Sequence, residues 1–200
     1  MTCKDMVQQF HEANGAVING CDNGPEVAVL RMRLILEEFA ETCVALHEDN
    51  TIETADGLAD LLYVIYGTAV SYGVPCRDID EVVPLDTPVL AFNRQEVLRF
   101  SRLTLPRLHR VVNALAITPG DCGLALEDLA ETIWTYGMRT WGFPMRKLFE
   151  EVHRSNMTKT FAKNTTGGKY GAVKPKGPGY KAPGIAGILT MAAEAALQRA

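Results

Sequence analysis

Apolar residues recur every three or four positions along two long stretches of this chain, and nowhere do apolar and polar residues alternate as in a half-buried strand. The first stretch opens at Pro25, a favoured first helical residue, and runs through Val27, Leu30, Leu34 and Phe39 to about His47. Asp49, Asn50 and Thr51 make a polar break with capping residues, and the second stretch runs through Leu58, Leu62 and Ile65 to Tyr72, stopping at Gly73 and Pro75. Further helices are predicted around Val7 to His11, from a capping box at Asn93 and Glu96 to Ala116, and over 124–141, 145–156 and 185–199. The spacing predicts an all-α helical bundle.

Composition narrows what such a bundle could meet. The chain is 47% hydrophobic with a net charge of −4, so no global basic field exists to grip nucleic acid. A phosphate-bearing partner would need local charge or a metal. No apolar run is long enough to cross a bilayer, and Met1 to Met6 holds no signal-like apolar core, so a cytoplasmic protein is expected (host cytoplasm if phage-encoded). The five cysteines form no CxxC pair, which argues for reduced thiols rather than zinc or redox chemistry.

Shifting the chain by 69 residues reveals an internal repeat. Gly73, Pro75, Arg77 and Glu81 meet Gly142, Pro144, Arg146 and Glu150, and Arg33-Leu34 meets Arg102-Leu103. The expected division is an N-terminal helical half over 1–83, a second half over 84–160, and a Gly/Lys/Pro-rich tail over 161–200 ending in a helix.

The first half carries the chemistry. Glu37, Glu38 and Glu41 lie on one long helix, with Glu41 one turn from the other two; Glu53, Asp56 and Asp60 are spaced three and four apart on the next. Facing helices would bring these acidic stripes together, and such charges repel unless cations compensate. Each acid alone reads as a solvated helix face. Interleaved with Phe39, Leu58 and Leu62, they read as a site for hard divalent ions, with Mg²⁺ suited to a substrate that brings phosphates. A di-iron bundle would need Glu-x-x-His twice, and it occurs once, at Glu150 and His153.

The segments LEEFAE (36–41) and ETADGLADLLYVIYGTAVSYGVP (53–75) resemble the MazG-like all-α nucleoside triphosphate pyrophosphohydrolases, a superfamily that includes phosphoribosyl-ATP pyrophosphohydrolases and dimeric dUTPases. VQQFHEANG (7–15), EVHRSNMTK (151–159) and KYGAVKPKGPGY (169–180) look like its phage and bacterial branch. The resemblance implies hydrolysis of a (d)NTP between the α- and β-phosphates by metal-activated water, giving (d)NMP and pyrophosphate. A purine deoxynucleotide such as dGTP is one expected substrate. Mg²⁺ is the implied cofactor, with Mn²⁺ able to substitute, and a homo-oligomeric dimer or tetramer is implied.

Mapped onto this chain, the family's E-E-x-x-E is Glu37, Glu38 and Glu41, with Asp60 before the LLY run; these are the expected catalytic residues. The expected metal ligands are Glu38, Glu41, Asp56 and Asp60. The family's second glutamate falls on Gly57, so both Glu53/Asp56 and Asp56/Asp60 remain open as the second ligand pair. Asn156 and Lys159 are implied to bind substrate, and Lys174 and Lys176 are weaker phosphate candidates. In the repeat the acids become Pro106, Arg107, Arg110, Ala125 and Leu129, which leaves one acid-bearing half and one degenerate half. Arg107 and Arg110 read either as a solvated basic face or as triphosphate contacts, and Trp134 and Trp141 as core or as base-stacking groups. The alternative functions are phosphoribosyl-ATP hydrolysis and a non-catalytic helical nucleotide-binding regulator.

Overall fold

The computed structural model describes residues 1–20, 24–79, 95–159 and 177–198, and among them every regular element is helical. The helices are α1 (Cys3–Asn14), α2 (Pro25–His47), α3 (Thr51–Tyr72), α4 (Gln95–Ile117), α5 (Gly123–Trp141), α6 (Met145–Met157) and α7 (Ile185–Leu197), with a single 3-10 turn at Pro119–Asp121. Local chemistry sets the ends. Thr2 and Asp5 close a capping box over α1, and Asn50 Oδ1 accepts the Glu53 N–H at 3.2 Å at the start of α3. Asn93 lies outside the described residues, and the Glu96 carboxylate accepts the Tyr136 hydroxyl at 3.0 Å.

Two helical hairpins, α2–α3 and α4–α5, pack side by side, with α2 against α4 and α3 against α5. Helices α1 and α6 cover the far side of α3, and α7 lies across α3 and α6. Packed on several sides, α3 buries nearly every residue from Leu58 to Tyr72, which explains why it is apolar around most of its circumference. One apolar core runs through all of this, from Val27 and Leu62 to Phe100, Ile133 and Phe149. Trp134 and Trp141 are buried within it, so both are core residues.

The repeat has a geometric counterpart. Both α3 and α5 end on a glycine in the left-handed region, Gly73 at φ 66° and Gly142 at φ 66°, a conformation that disfavours any residue with a Cβ. The hairpins also share one register. Arg31 of α2 lies against Gly67 of α3, and Phe100 of α4 meets Tyr136 of α5 with ring centres 5.0 Å apart, each residue displaced by 69 from its counterpart.

Candidate active site

Along α2, Glu38 is half-buried, whereas Glu37 and Glu41 are exposed. Glu37 turns back to Arg33, 3.4 Å away. Across from them, Asp56 and Asp60 are half-buried on α3, one turn apart. Glu53 is exposed in the first turn of that helix.

Electrostatics identify which of these acids face one another. Burial first, then repulsion from Asp60, Glu41 and Asp56, pushes the Glu38 carboxyl up to about 8, while Lys159 pulls it down. The structure thus brings Glu38, Glu41, Asp56, Asp60 and Lys159 into one electrostatic neighbourhood. Of the two open ligand pairs, Asp56/Asp60 faces Glu38.

Helix α6 packs against α3 beside these acids. Asn156 is buried there and bonds to Tyr63, which lies one turn beyond Asp60 on α3. The Tyr63 hydroxyl is 3.1 Å from His153 Nδ1. Burial, with the Asp60 charge adding to it, holds the Tyr63 phenol well above its ordinary range. Burial also lowers His153. Glu150 pairs instead with Arg146 at 2.9 Å, so the Glu150/His153 couplet is not a ligand pair.

The α4–α5 hairpin resolves its charges differently. Arg107 Nε lies 3.0 Å from Asp128, and Arg110 binds the same carboxylate. Where α2–α3 gathers carboxylates, α4–α5 at the corresponding level is held by arginine–aspartate pairs. Lys174 and Lys176 lie outside the described residues.

Residues 21–84 match the family model described as phosphoribosyl-ATP pyrophosphohydrolase. This segment is similar to MazG-like pyrophosphohydrolase domains. The chain is also 27% identical over 155 residues to L479, an uncharacterised protein of Acanthamoeba polyphaga mimivirus, with 69% of this chain and 61% of that protein covered. The chain thus spans less than two thirds of that relative's length. No solved structure matches it.

The matched segment contains Glu38, Glu41, Asp56 and Asp60, and α6 with Asn156 lies beyond it. The departure at Gly57 has a steric reason. A Cβ there would come 2.8 Å from Thr42 Oγ1 and 3.3 Å from Thr42 Cα, so the helices cross too closely for a glutamate. The metal ligands expected of such a domain suit a particular kind of ion. Among the described residues no three Asp, Glu, His or Cys side chains stand close enough to enclose an ion by themselves. Mg²⁺ does not require that: it keeps waters and takes one or two carboxylates together with substrate phosphates. The hard oxygen donors around Glu38 fit an ion shared with a triphosphate.

Tyr63 was not among the residues singled out from the sequence, and His153 was weighed there only as half of the Glu150/His153 couplet. The signal was present, since Tyr63 continues the spacing of Asp56 and Asp60, and His153, Asn156 and Lys159 are three apart.

Proposed function

We propose that this chain is a Mg²⁺-dependent nucleoside triphosphate pyrophosphohydrolase, converting a (d)NTP to (d)NMP and pyrophosphate. The family match supports the coarser statement, a nucleotide pyrophosphohydrolase-type activity. One observation carries the finer one: Glu38 is half-buried among Asp60, Glu41 and Asp56, with one cation among the described residues, Lys159, acting on it. Among the described residues, four carboxyl groups against one ammonium leave a deficit of positive charge, borne by Glu38 as a retained proton, that divalent ions would fill.

When bound, Mg²⁺ would neutralise triphosphate charge and polarise the phosphorus under attack. One or two carboxylates drawn from Glu38, Glu41, Asp56 and Asp60 would hold each ion together with the substrate phosphates. Lys159, which acts on Glu38, would meet a phosphate oxygen. Asn156, fixed through Tyr63, would orient the remainder of the substrate. Cleavage between the α- and β-phosphates follows the family reading, and a purine deoxynucleotide such as dGTP is the first substrate to try. The homo-oligomer implied by the resemblance is part of the proposal, checked by light scattering.

The deciding experiment is a panel of common NTPs and dNTPs with Mg²⁺, scored for products. Monophosphate plus pyrophosphate is expected, with Glu38→Gln and Asp60→Asn reducing turnover by at least about a hundredfold. Orthophosphate as the product would reject the cleavage position. The family description favours a second reading, hydrolysis of phosphoribosyl-ATP. Turnover of that compound beside the dNTP panel separates the two.

A further inference from the structure

Tyr63 stands where the acid-bearing face of α3 meets α6. Its ring is packed by Phe10, Phe149 and His153, with centres 5.7, 5.5 and 6.1 Å away, and the His153 ring lies at 26° to it, a stacked arrangement. The hydroxyl at the end of this clamped ring has two polar neighbours, His153 Nδ1 at 3.1 Å and the Asn156 side chain. A phenol has one proton to give and lone pairs to receive. The Asn156 amide has N–H groups to give to the phenol oxygen, and with that bond made the phenol proton is left for His153. Nε2 of His153 has no hydrogen-bond partner among the described residues, and the ring is half-buried rather than sealed in.

We propose that the Tyr63 O–H donates to His153 Nδ1 and so fixes the ring proton on Nε2, making His153 a neutral donor for an acceptor atom of the nucleoside portion of the substrate. Tyr63 is then a positioning residue that acts through His153. The inference rests on the nucleotide reading of the site and deepens it, by assigning the nucleoside end. Position along α6 and the two residues past its end supplies the direction. His153, Asn156 and Lys159 follow one another at intervals of three, and Lys159 acts on Glu38. The phosphates therefore belong at the Lys159 end. His153 lies six residues earlier, four of them within α6 (roughly 6 Å at 1.5 Å per residue) and two beyond its end at Met157, about the reach from the phosphates to a sugar or base.

Two measurements test this. Long-range proton–nitrogen NMR on histidine-labelled protein should show His153 of the parent as the Nε2–H tautomer, and Tyr63→Phe should return it to a tautomer mixture. This readout needs no turnover. An Nδ1–H tautomer in the parent, or no change in Tyr63→Phe, overturns the role given to Tyr63. For His153, binding of a non-hydrolysable dNTP analogue is compared with binding of inorganic tripolyphosphate. His153→Asn should weaken the analogue about tenfold and leave tripolyphosphate unchanged, and His153→Gln, whose amide reaches the place of Nε2, should recover most of the loss. Equal weakening of both ligands, or none, overturns the nucleoside assignment. If neither ligand binds the parent protein, the nucleotide reading itself fails, while the NMR result still decides the Tyr63–His153 bond.

Discussion

Arg31 donates to His11 Nε2 across 3.2 Å, joining α2 to α1 with both side chains buried. On the other side of the ring, His11 Nδ1 lies 2.9 Å from the Val17 carbonyl, a contact that requires an N–H, so Nε2 keeps its lone pair for the guanidinium. Burial first, and then the Arg31 cation, hold His11 down at about 4 against an ordinary value of 6.5. The neutral form is therefore the one the fold stabilises. That stability is fully present above pH 6.5 and is lost as pH falls towards 4, reaching on the order of 3 kcal/mol. Melts between pH 7 and 4 should show this loss, and His11→Gln should flatten it. An unchanged acid limb in that variant would remove His11 from the account.

Gly57 sets the spacing of the two acid-bearing helices. Alanine there gains about 1 kcal/mol of helix propensity, yet overpacking a closed contact costs about 1–3 kcal/mol. The 3.3 Å approach to the Thr42 backbone decides for the second, because a Cα cannot swing aside as a side chain can. Gly57→Ala should lower stability by about 1 kcal/mol in urea titrations and reduce kcat/KM roughly tenfold, since Asp56 and Asp60 shift with it. A fully active, more stable variant would show that the helices have room.

Arg107 and Arg110 are engaged with Asp128 in the α4–α5 hairpin, with Arg110 exposed and Arg107 half-buried. Exposed pairs contribute about 0–1 kcal/mol. Alanine at both should leave KM for the nucleotide unchanged and cost no more than about 1 kcal/mol of stability. A steep rise in KM would place these arginines on the triphosphate.

The helices were legible from the sequence because their signals are local. Pro25 and Gly73 mark ends that the structure places at the same residues, and the expected opening at Asn50 is the cap of α3. The acid stripes were legible as stripes for the same reason. What spacing could not decide was which members of a stripe turn inward. Glu37 and Glu38 are neighbours in sequence, yet one reaches Arg33 and the other is half-buried facing Asp60, a difference set by where α3 crosses α2. Nor could spacing give the contact between Tyr63 and His153, ninety positions apart. The reading of Arg107 and Arg110 as a solvated basic face or as triphosphate contacts likewise had no means of finding Asp128, since that contact depends on the register of α4 against α5.

The central claim is that the carboxylates around Glu38 are held together in a way that a divalent cation relieves. With its carboxyl at about 8, Glu38 is mostly protonated at pH 7, and a bound cation must displace that proton. Calorimetric titration of Mg²⁺ with a nucleotide analogue, repeated in buffers of different ionisation enthalpy, counts the protons released. The account predicts a release approaching one proton per chain at pH 7 on Mg²⁺ addition, falling away by pH 9 and absent in Glu38→Gln. Mg²⁺ binding without proton release, or no Mg²⁺ binding in the presence of the analogue, would contradict it.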